Sequence, residues 1–528
     1  VLFLDSDDER RGLGTRYLST DCAGSFEVMP VSSAEESRAA AARLAGEGRV
    51  VAAAVVDARS AGASLEGLTN DLRGAWPSVR IIVYGAPPAT LAALRRSRAA
   101  DFTVDDPWES PDVSLQPLID QSLRSREGRD TPQTVDVIGD SWDPRCHDLK
   151  DVLARHRIAY RTREADGGAS APRLVFADGS ELIDPSDEDL AKKLGFGTKP
   201  ESSFYDLVII GGGPAGLAAA VYASSEGLRT VIVERDVPGG QAGSSALIEN
   251  YLGFPDGVSG AELASRAVGQ AEKFGTEILV SRTATSLRDD RGYRVVGLDD
   301  GSEIVSHCVV LATGIAYRRF TAEGAERLTG AGVYYGAAAA EAARFRDREV
   351  CLLGSGNSAA QGALLLARYA RSLTIITIDE ALDTTMSQYL VARISALPNI
   401  HVLTGTTVAA VAGKERVESV VVETVATRER REIETDALFV WIGGNPRTEW
   451  LEGTLLRDAN GYVITGRGLH RRDLKGWPDD RWPMHLESSM PGVFVAGDAR
   501  AGSVKRVGSA VGEGATAVQL VHAYLRER

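Results

Sequence analysis

The chain has 528 residues, 44% hydrophobic and 25% charged, which is ordinary for globular protein and long enough for three or four domains with separate cores. Its 59 lysines and arginines against 73 aspartates and glutamates leave a net charge of −14, which argues against nucleic acid as a partner. No apolar run approaches the roughly 20 residues of a membrane span, and the opening VLFLDSDDERR has too short an apolar stretch and an acidic flank for a secretory leader.

Residues 1–128 alternate strand-like runs (VLFL, VVAAAVVD, RIIVYG, ADFTV) with Ala/Leu/Arg-rich helical stretches, which predicts a parallel sheet. This layout resembles a response-regulator receiver domain. Asp5 and Asp7 keep part of that family's acidic cluster, and Asp57 stands at the phospho-acceptor position. Tyr84-Gly85 ends the fourth strand without the family's Thr or Ser, and Asp106 stands where the family has Lys. A negative charge there repels a phosphoryl group, so the segment is identified as a degenerate receiver, suited to docking or dimerisation.

After a polar linker, residues 134–198 read as strand, helix, strand, hairpin and helix, and resemble a glutaredoxin. Trp142-Asp143-Pro144-Arg145-Cys146 lies where that family has W-C-P-x-C, with Asp143 in place of the attacking cysteine, and Pro172 matches the family's cis-proline. A thiol relay needs a thiolate that attacks first. Cys146 alone retains only a capacity for a mixed disulfide, and a relic at a helix start is the simpler reading. The other cysteines, Cys22, Cys308 and Cys351, have no CxxC spacing, so no metal site or local dithiol is expected, and a reducing cytoplasm suits this usage.

From Tyr205 the pattern is a hydrophobic strand running into Gly211-Gly212-Gly213-Pro214-Ala215-Gly216, a helix, and a second strand ending in Glu234. Gly211 permits the tight turn, Gly213 lets backbone approach a pyrophosphate, and Gly216 packs helix on strand. Glu234 is placed to accept a ribose hydroxyl. The later turns LATG, through Thr313 and Gly314, and FVAGD, through Gly497 and Asp498, complete the order of a two-dinucleotide-domain flavoprotein. With PGGQ (238–241), IENYLGFP (248–255) and KRVGSAVGEG (505–514), residues 203–528 resemble bacterial thioredoxin reductases. The resemblance implies an α/β fold with two Rossmann-like domains, FAD as cofactor and a homodimer. The FAD domain would be split as 203–318 and 442–528 around an NAD(P)-binding-like domain at 319–441. It also implies FAD contacts from Pro214, Ala215, Arg235, Gly240, Gln241, Asn250, Asp498, Arg506, Val507 and Gly508.

Gly354-Ser355-Gly356-Asn357-Ser358-Ala359 repeats the strand–turn–helix pattern. Asp379 ends the next strand, and no Arg or Lys occurs between Arg371 and Arg393. An acid there binds a free 2′-hydroxyl and repels a phosphate, so NADPH is disfavoured, and NADH or no nicotinamide remain. Where thioredoxin reductases carry G-V-x-Y-C-A-T-C-D, this chain has GVYYGAAAAE, with Gly336 and Ala339 in the cysteine positions. The segment is also a good helix start, since Ala is the best helix former. Loss of the cysteines removes bulk beside the flavin, making Tyr334, Tyr335 and Glu341 candidate lining residues.

Three functions remain open. One is an FAD-dependent oxidase or dehydrogenase acting directly on a small or carrier-tethered substrate, a thiol among them, with oxygen as acceptor. Another is an NADH-dependent reductase passing electrons to a protein or quinone. The third is a non-catalytic, flavin-bound docking protein.

Overall fold

The computed structural model describes the chain outside residues 21–26, 63–64, 77–78, 88–89, 92, 95–98, 105–106, 108–114, 116–117, 120–133, 141–142, 157, 164–170, 177, 246, 256, 337–341, 343, 475–476, 478–480 and 528. Cys22, Asp106, Trp142, Ala339 and Glu341 therefore lie outside the described residues. Two compact units form, one from residues 1–141, 157–181 and 339–344, the other from 142–156, 182–338 and 345–528.

In the first unit β1 (Leu2–Leu4), β2 (Met29–Val31), β3 (Ala53–Asp57), β4 (Arg80–Tyr84) and β5 (Phe102–Val104) build a parallel sheet in the order β2-β1-β3-β4-β5. The strands are continuous apolar runs because both faces are covered. Helices Ala34–Gly46 and Leu65–Ala75 bury Leu44, Leu68 and Leu72 on one side. At the strand ends Asp5 and Asp57 are both fully buried. Arg10 Nε donates to Asp5 Oδ2 at 3.0 Å and Arg59 Nε to Asp57 Oδ1 at 2.9 Å, while the Tyr84 hydroxyl donates to Asp5 Oδ2 at 2.6 Å. Burial alone would raise the Asp5 carboxyl; its Arg10, Tyr84 and backbone partners more than offset that and hold it below its ordinary value. Gly85 follows at φ +76°, and a Cβ there would stand 2.1 Å from Asp57 Oδ1. The acidic pair is thus neutralised by arginines of the same unit, as buried charges require.

A smaller sheet pairs β6 (Thr134–Ile138) parallel to β7 (Ala159–Arg163) and antiparallel to β8 (Arg173–Val175), with β9 (Glu181–Ile183) next in sequence. No cis peptide bond occurs among the described residues, so the expected cis-proline match at Pro172 is corrected to trans, the form an X–Pro bond prefers by about 0.5–1 kcal/mol.

The second unit opens its first sheet with β10 (Phe204–Ile210), β11 (Thr230–Val233), β12 (Glu277–Leu279), β13 (Ala284–Asp290), β14 (Tyr293–Leu298) and β15 (Glu303–Leu311), in the order β12-β11-β10-β15-β14-β13. The chain leaves through β16 (Ile315–Tyr317) and builds a parallel sheet in the order β17-β24-β18-β19-β20. Its strands are β17 (Val333–Tyr335), β18 (Glu349–Gly354), β19 (Ser372–Ile376), β20 (Ile400–Leu403) and β24 (Ala437–Trp441). The antiparallel β21 (Thr406–Ala412), β22 (Ser419–Thr424) and β23 (Arg430–Glu434) lie between β20 and β24 in sequence. The chain returns through β25 (Gly444–Pro446), antiparallel to β16, and adds β26 (Val493–Val495) beside β15. Both nucleotide loops therefore leave the carboxyl ends of parallel strands, where open α/β sheets bind ligands. No helix among the described residues is long and apolar enough to cross a membrane.

Candidate active site

The first loop is shaped by close backbone approaches. Gly211 has φ +102°, and a Cβ there would lie 2.4 Å from the Ala312 carbonyl oxygen. A Cβ on Gly216 would lie 1.9 Å from the Gly211 oxygen, so the helix Pro214–Ser225 can pack this tightly only on glycine. Gly213 caps that helix in extended conformation without a side-chain cap, and its nearest neighbour in the Cβ direction is Gly240 Cα at 3.9 Å. The first-turn amides of a helix have no intrahelical acceptors and attract an anion. A diphosphate fits this opening.

Glu234 is 6% exposed and accepts the Gly212 amide at 2.6 Å and the Asp236 amide at 2.8 Å. Burial pushes its carboxyl up, and those two amides offset the effect only in part. Asp236 is shifted the other way: burial opposes ionisation, but the Arg235, Arg447 and Arg155 charges outweigh it. Thr313 Oγ1 is buried with no hydrogen-bond partner among the described residues, an orphaned group suited to a bound polar ligand. Gln241 Nε2 donates to the Ile315 carbonyl at 2.9 Å, and Gly314 follows the turn at φ +63°.

The returning segment meets the same loop. Gly497 has φ +74°, and a Cβ on it would lie 3.0 Å from Ala215 Cβ. Burial pushes the neighbouring Asp498 carboxyl up. The helix Val507–Glu527 crosses the first helix at Gly514, where a Cβ would stand 2.1 Å from the Ala215 oxygen. Gly211, Gly213, Glu234, Thr313, Gly497 and Asp498 are therefore gathered around one helix start, while Asn250, Arg506 and Gly508 are exposed. Open backbone donors, a buried acid and an orphaned hydroxyl together fit FAD.

The second loop is built alike. Gly354 (φ +146°) would place a Cβ 2.4 Å from the Trp441 oxygen, and Gly356 starts the helix Asn357–Leu366 with open space beside it and no side-chain cap. Asp379 Oδ2 accepts the Ser355 hydroxyl and, at 3.3 Å, the Thr385 hydroxyl, so the acid is held at the loop's mouth. Asn357 Oδ1 accepts the Ser387 amide at 2.8 Å, and Ser358 is exposed.

Between the loops, Gly336 takes φ +90°, and a Cβ there would meet the Tyr317 hydroxyl at 3.4 Å. Tyr334 is 3% exposed and packs among Phe345, Phe439 and His147, with ring centroids 5.9, 5.2 and 5.4 Å away. The Tyr335 hydroxyl accepts the Phe320 amide at 2.9 Å. These two tyrosines stabilise the second sheet's surroundings. The tyrosine against Gly336 is Tyr317, whose hydroxyl is raised by burial. Only the LATG turn just before it gave a clue to its position.

The helix Pro144–Arg155 belongs to this unit. Asp143 is its N-cap, accepting the Arg145 amide at 2.7 Å and the Cys146 amide at 3.1 Å, and Cys146 is 2% exposed. Pro144 lies where a Cβ on Gly330 would meet it at 2.8 Å, and at the far end Arg155 Nη2 donates to the Val237 carbonyl at 3.1 Å. Among the described residues, Cys146, Cys308 and Cys351 form no disulfide and are buried.

Comparison with known proteins covers the same unit. Residues 205–514 match the family model described as pyridine nucleotide-disulphide oxidoreductase. The thioredoxin reductase of Bacillus subtilis (strain 168) is 32% identical over 328 residues, 62% of this chain and 96% of that protein. A 34.2 kDa protein in the rubredoxin operon of Clostridium pasteurianum is 29% identical over 325 residues, 62% of this chain and 98% of that one. Among solved structures, Lactococcus lactis thioredoxin reductase in its FR conformation superposes with a TM-score of 0.55 at 30% identity, covering 61% of this chain and 100% of that one. The T. acidophilum thioredoxin reductase gives 0.55 at 27% identity, over 61% of this chain and 99% of its own.

Proposed function

The chain belongs to the pyridine nucleotide-disulphide oxidoreductase family, and on that premise we propose an FAD-dependent oxidoreductase that oxidises a small or carrier-tethered substrate directly at the flavin, with oxygen as acceptor. The observation that carries this reading is Gly336, set at φ +90° against Tyr317 where the related reductases hold a cysteine. Bound FAD supplies a two-electron acceptor that oxygen can reoxidise. The chain's own contributions are the amides at Gly213 for the diphosphate, Glu234 for the ribose, and the start of the helix Val507–Glu527, whose positive dipole end favours negative charge on a neighbouring group. The N-terminal segments, receiver-like and glutaredoxin-like in sequence, serve as docking modules on this reading. Arg10 and Arg59 already occupy the acids of the one, and Asp143 caps a helix in the other.

Asp379 supports a second reading, in which NADH reduces the flavin: the acid stands at the mouth of an intact glycine loop and suits an unphosphorylated ribose. Anaerobic stopped-flow mixing with NADH, NADPH and candidate thiols separates the two. Bleaching by a thiol with reoxidation in air supports direct oxidation, whereas fast bleaching by NADH alone replaces it with the reductase reading.

A further inference from the structure

A cavity of about 540 Å³ opens beside the β16–β25 pair, walled by β25, Arg318 just past β16, the 448–462 stretch and Lys505. Its size is that of small-molecule sites, which run from about 300 to 1,000 Å³. Three cations line it, Arg318, Arg457 and Lys505, against one carboxylate, Glu449. Such an excess stands out in a chain of net charge −14.

The three cations are held differently. Arg457 is anchored, donating to the Thr448 carbonyl at 3.1 Å and pairing with Glu452 at 3.2 Å. Lys505 Nζ donates to the Tyr462 hydroxyl at 2.6 Å and sits 4.5 Å from the centre of that ring, so its partner is neutral. Lys505 also takes φ +56°, a backbone conformation uncommon outside glycine. Among the described residues neither Lys505 nor Arg318 forms a direct ion pair, although the Lys505 charge acts on the Asp498 carboxyl and opposes the upward push of burial there. An ammonium and a guanidinium converging on a concave wall, neither held in an ion pair, make a ready site for an anion, and charge-assisted hydrogen bonds of this kind are the strong ones.

Two of the cavity's cations adjoin the candidate cofactor-binding segments in sequence. Arg318 follows Tyr317 on β16, whose Ile315 carbonyl is held by Gln241, and Lys505 stands two residues before the helix Val507–Glu527. We infer that this cavity binds the anionic end, a carboxylate or a phosphate, of the small molecule that the enzyme handles, with Arg318 and Lys505 as its direct partners. The inference deepens the direct-oxidation reading and rests on it for what happens to the ligand, though not for binding itself.

The test is calorimetric titration of the FAD-loaded full chain with inorganic phosphate and, separately, with benzoate. Saturable binding of one or both is expected, weakened about tenfold or more in Arg318→Ala and in Lys505→Gln, and unchanged in Arg291→Ala, an exposed control outside the cavity. Phosphate alone assigns a phosphoryl ligand and benzoate alone a carboxylate. Arg318 is exposed, so its variant keeps the test valid even where Lys505→Gln costs folding or FAD. No saturable binding by the wild type, or binding indifferent to both substitutions, overturns the site. Anion binding without any substrate-driven bleaching of the flavin leaves the site standing and removes the direct-oxidation reading.

Discussion

Glu234 concentrates the residue-scale energetics of the cofactor site. It is buried, its carboxyl is pushed up, and two backbone amides depend on it. Glu234→Ala leaves both buried donors unpaired, at about 1–3 kcal/mol each, and removes the ribose partner. FAD retention through gel filtration, read from the ratio of visible to ultraviolet absorbance, should fall by about tenfold or more. His156 offers a pH-dependent counterpart. Stacked on Phe196 with ring centroids 4.2 Å apart, it is lowered to about 3, chiefly by burial and further by the Arg155 charge. Its folded value lies below its unfolded one, so the unfolded chain binds the extra proton between them. The stability that neutral His156 supports is present above pH 6.5 and is lost as pH falls towards about 3. Urea melts should show a slope of up to about 1.4 kcal/mol per pH unit in that window, and His156→Phe should flatten it while keeping the stack.

Among the elements, two helices shape the site from opposite directions. The helix Val507–Glu527 reaches the first loop because Gly514 has no side chain where the Ala215 carbonyl passes. Gly514→Ala would force a contact of 2.1 Å against backbone, so the two helices must separate. The expected result is a loss of about 1–3 kcal/mol in thermal unfolding, with weakened FAD binding. The helix Pro144–Arg155 shows what became of the second expected redox motif. Asp143 is an N-cap worth about 1 kcal/mol, and it accepts the amide of the buried Cys146.

At the scale of the whole molecule, the electron path is defined by what the flavin unit retains. Its described cysteines form no disulfide and are all buried, and on the proposed reading Gly336 takes the place of a redox thiol. Anaerobic dithionite titration should therefore take up about two electrons per FAD, whereas uptake of about four would reveal a hidden disulfide. Much of this architecture was legible in the sequence because glycine spacing and strand-end acids are local patterns. The G-x-G-x-x-G turns, Glu234, Asp379 and Asp498 had to stand near the ends of strands, and the absence of any CxxC was plain from spacing alone. Other features depend on segments far apart in sequence. Tyr317 meets Gly336, Arg155 reaches Val237, Gly85 closes over Asp57, and Lys505 converges with Arg318 on one cavity wall. By itself the sequence determined the nucleotide loops and the loss of the dithiol, because each is written in a few neighbouring residues. Only the tertiary structure decided which tyrosine lies beside Gly336 and where Arg318, Arg457 and Lys505 gather, because burial and charge convergence arise when distant segments pack.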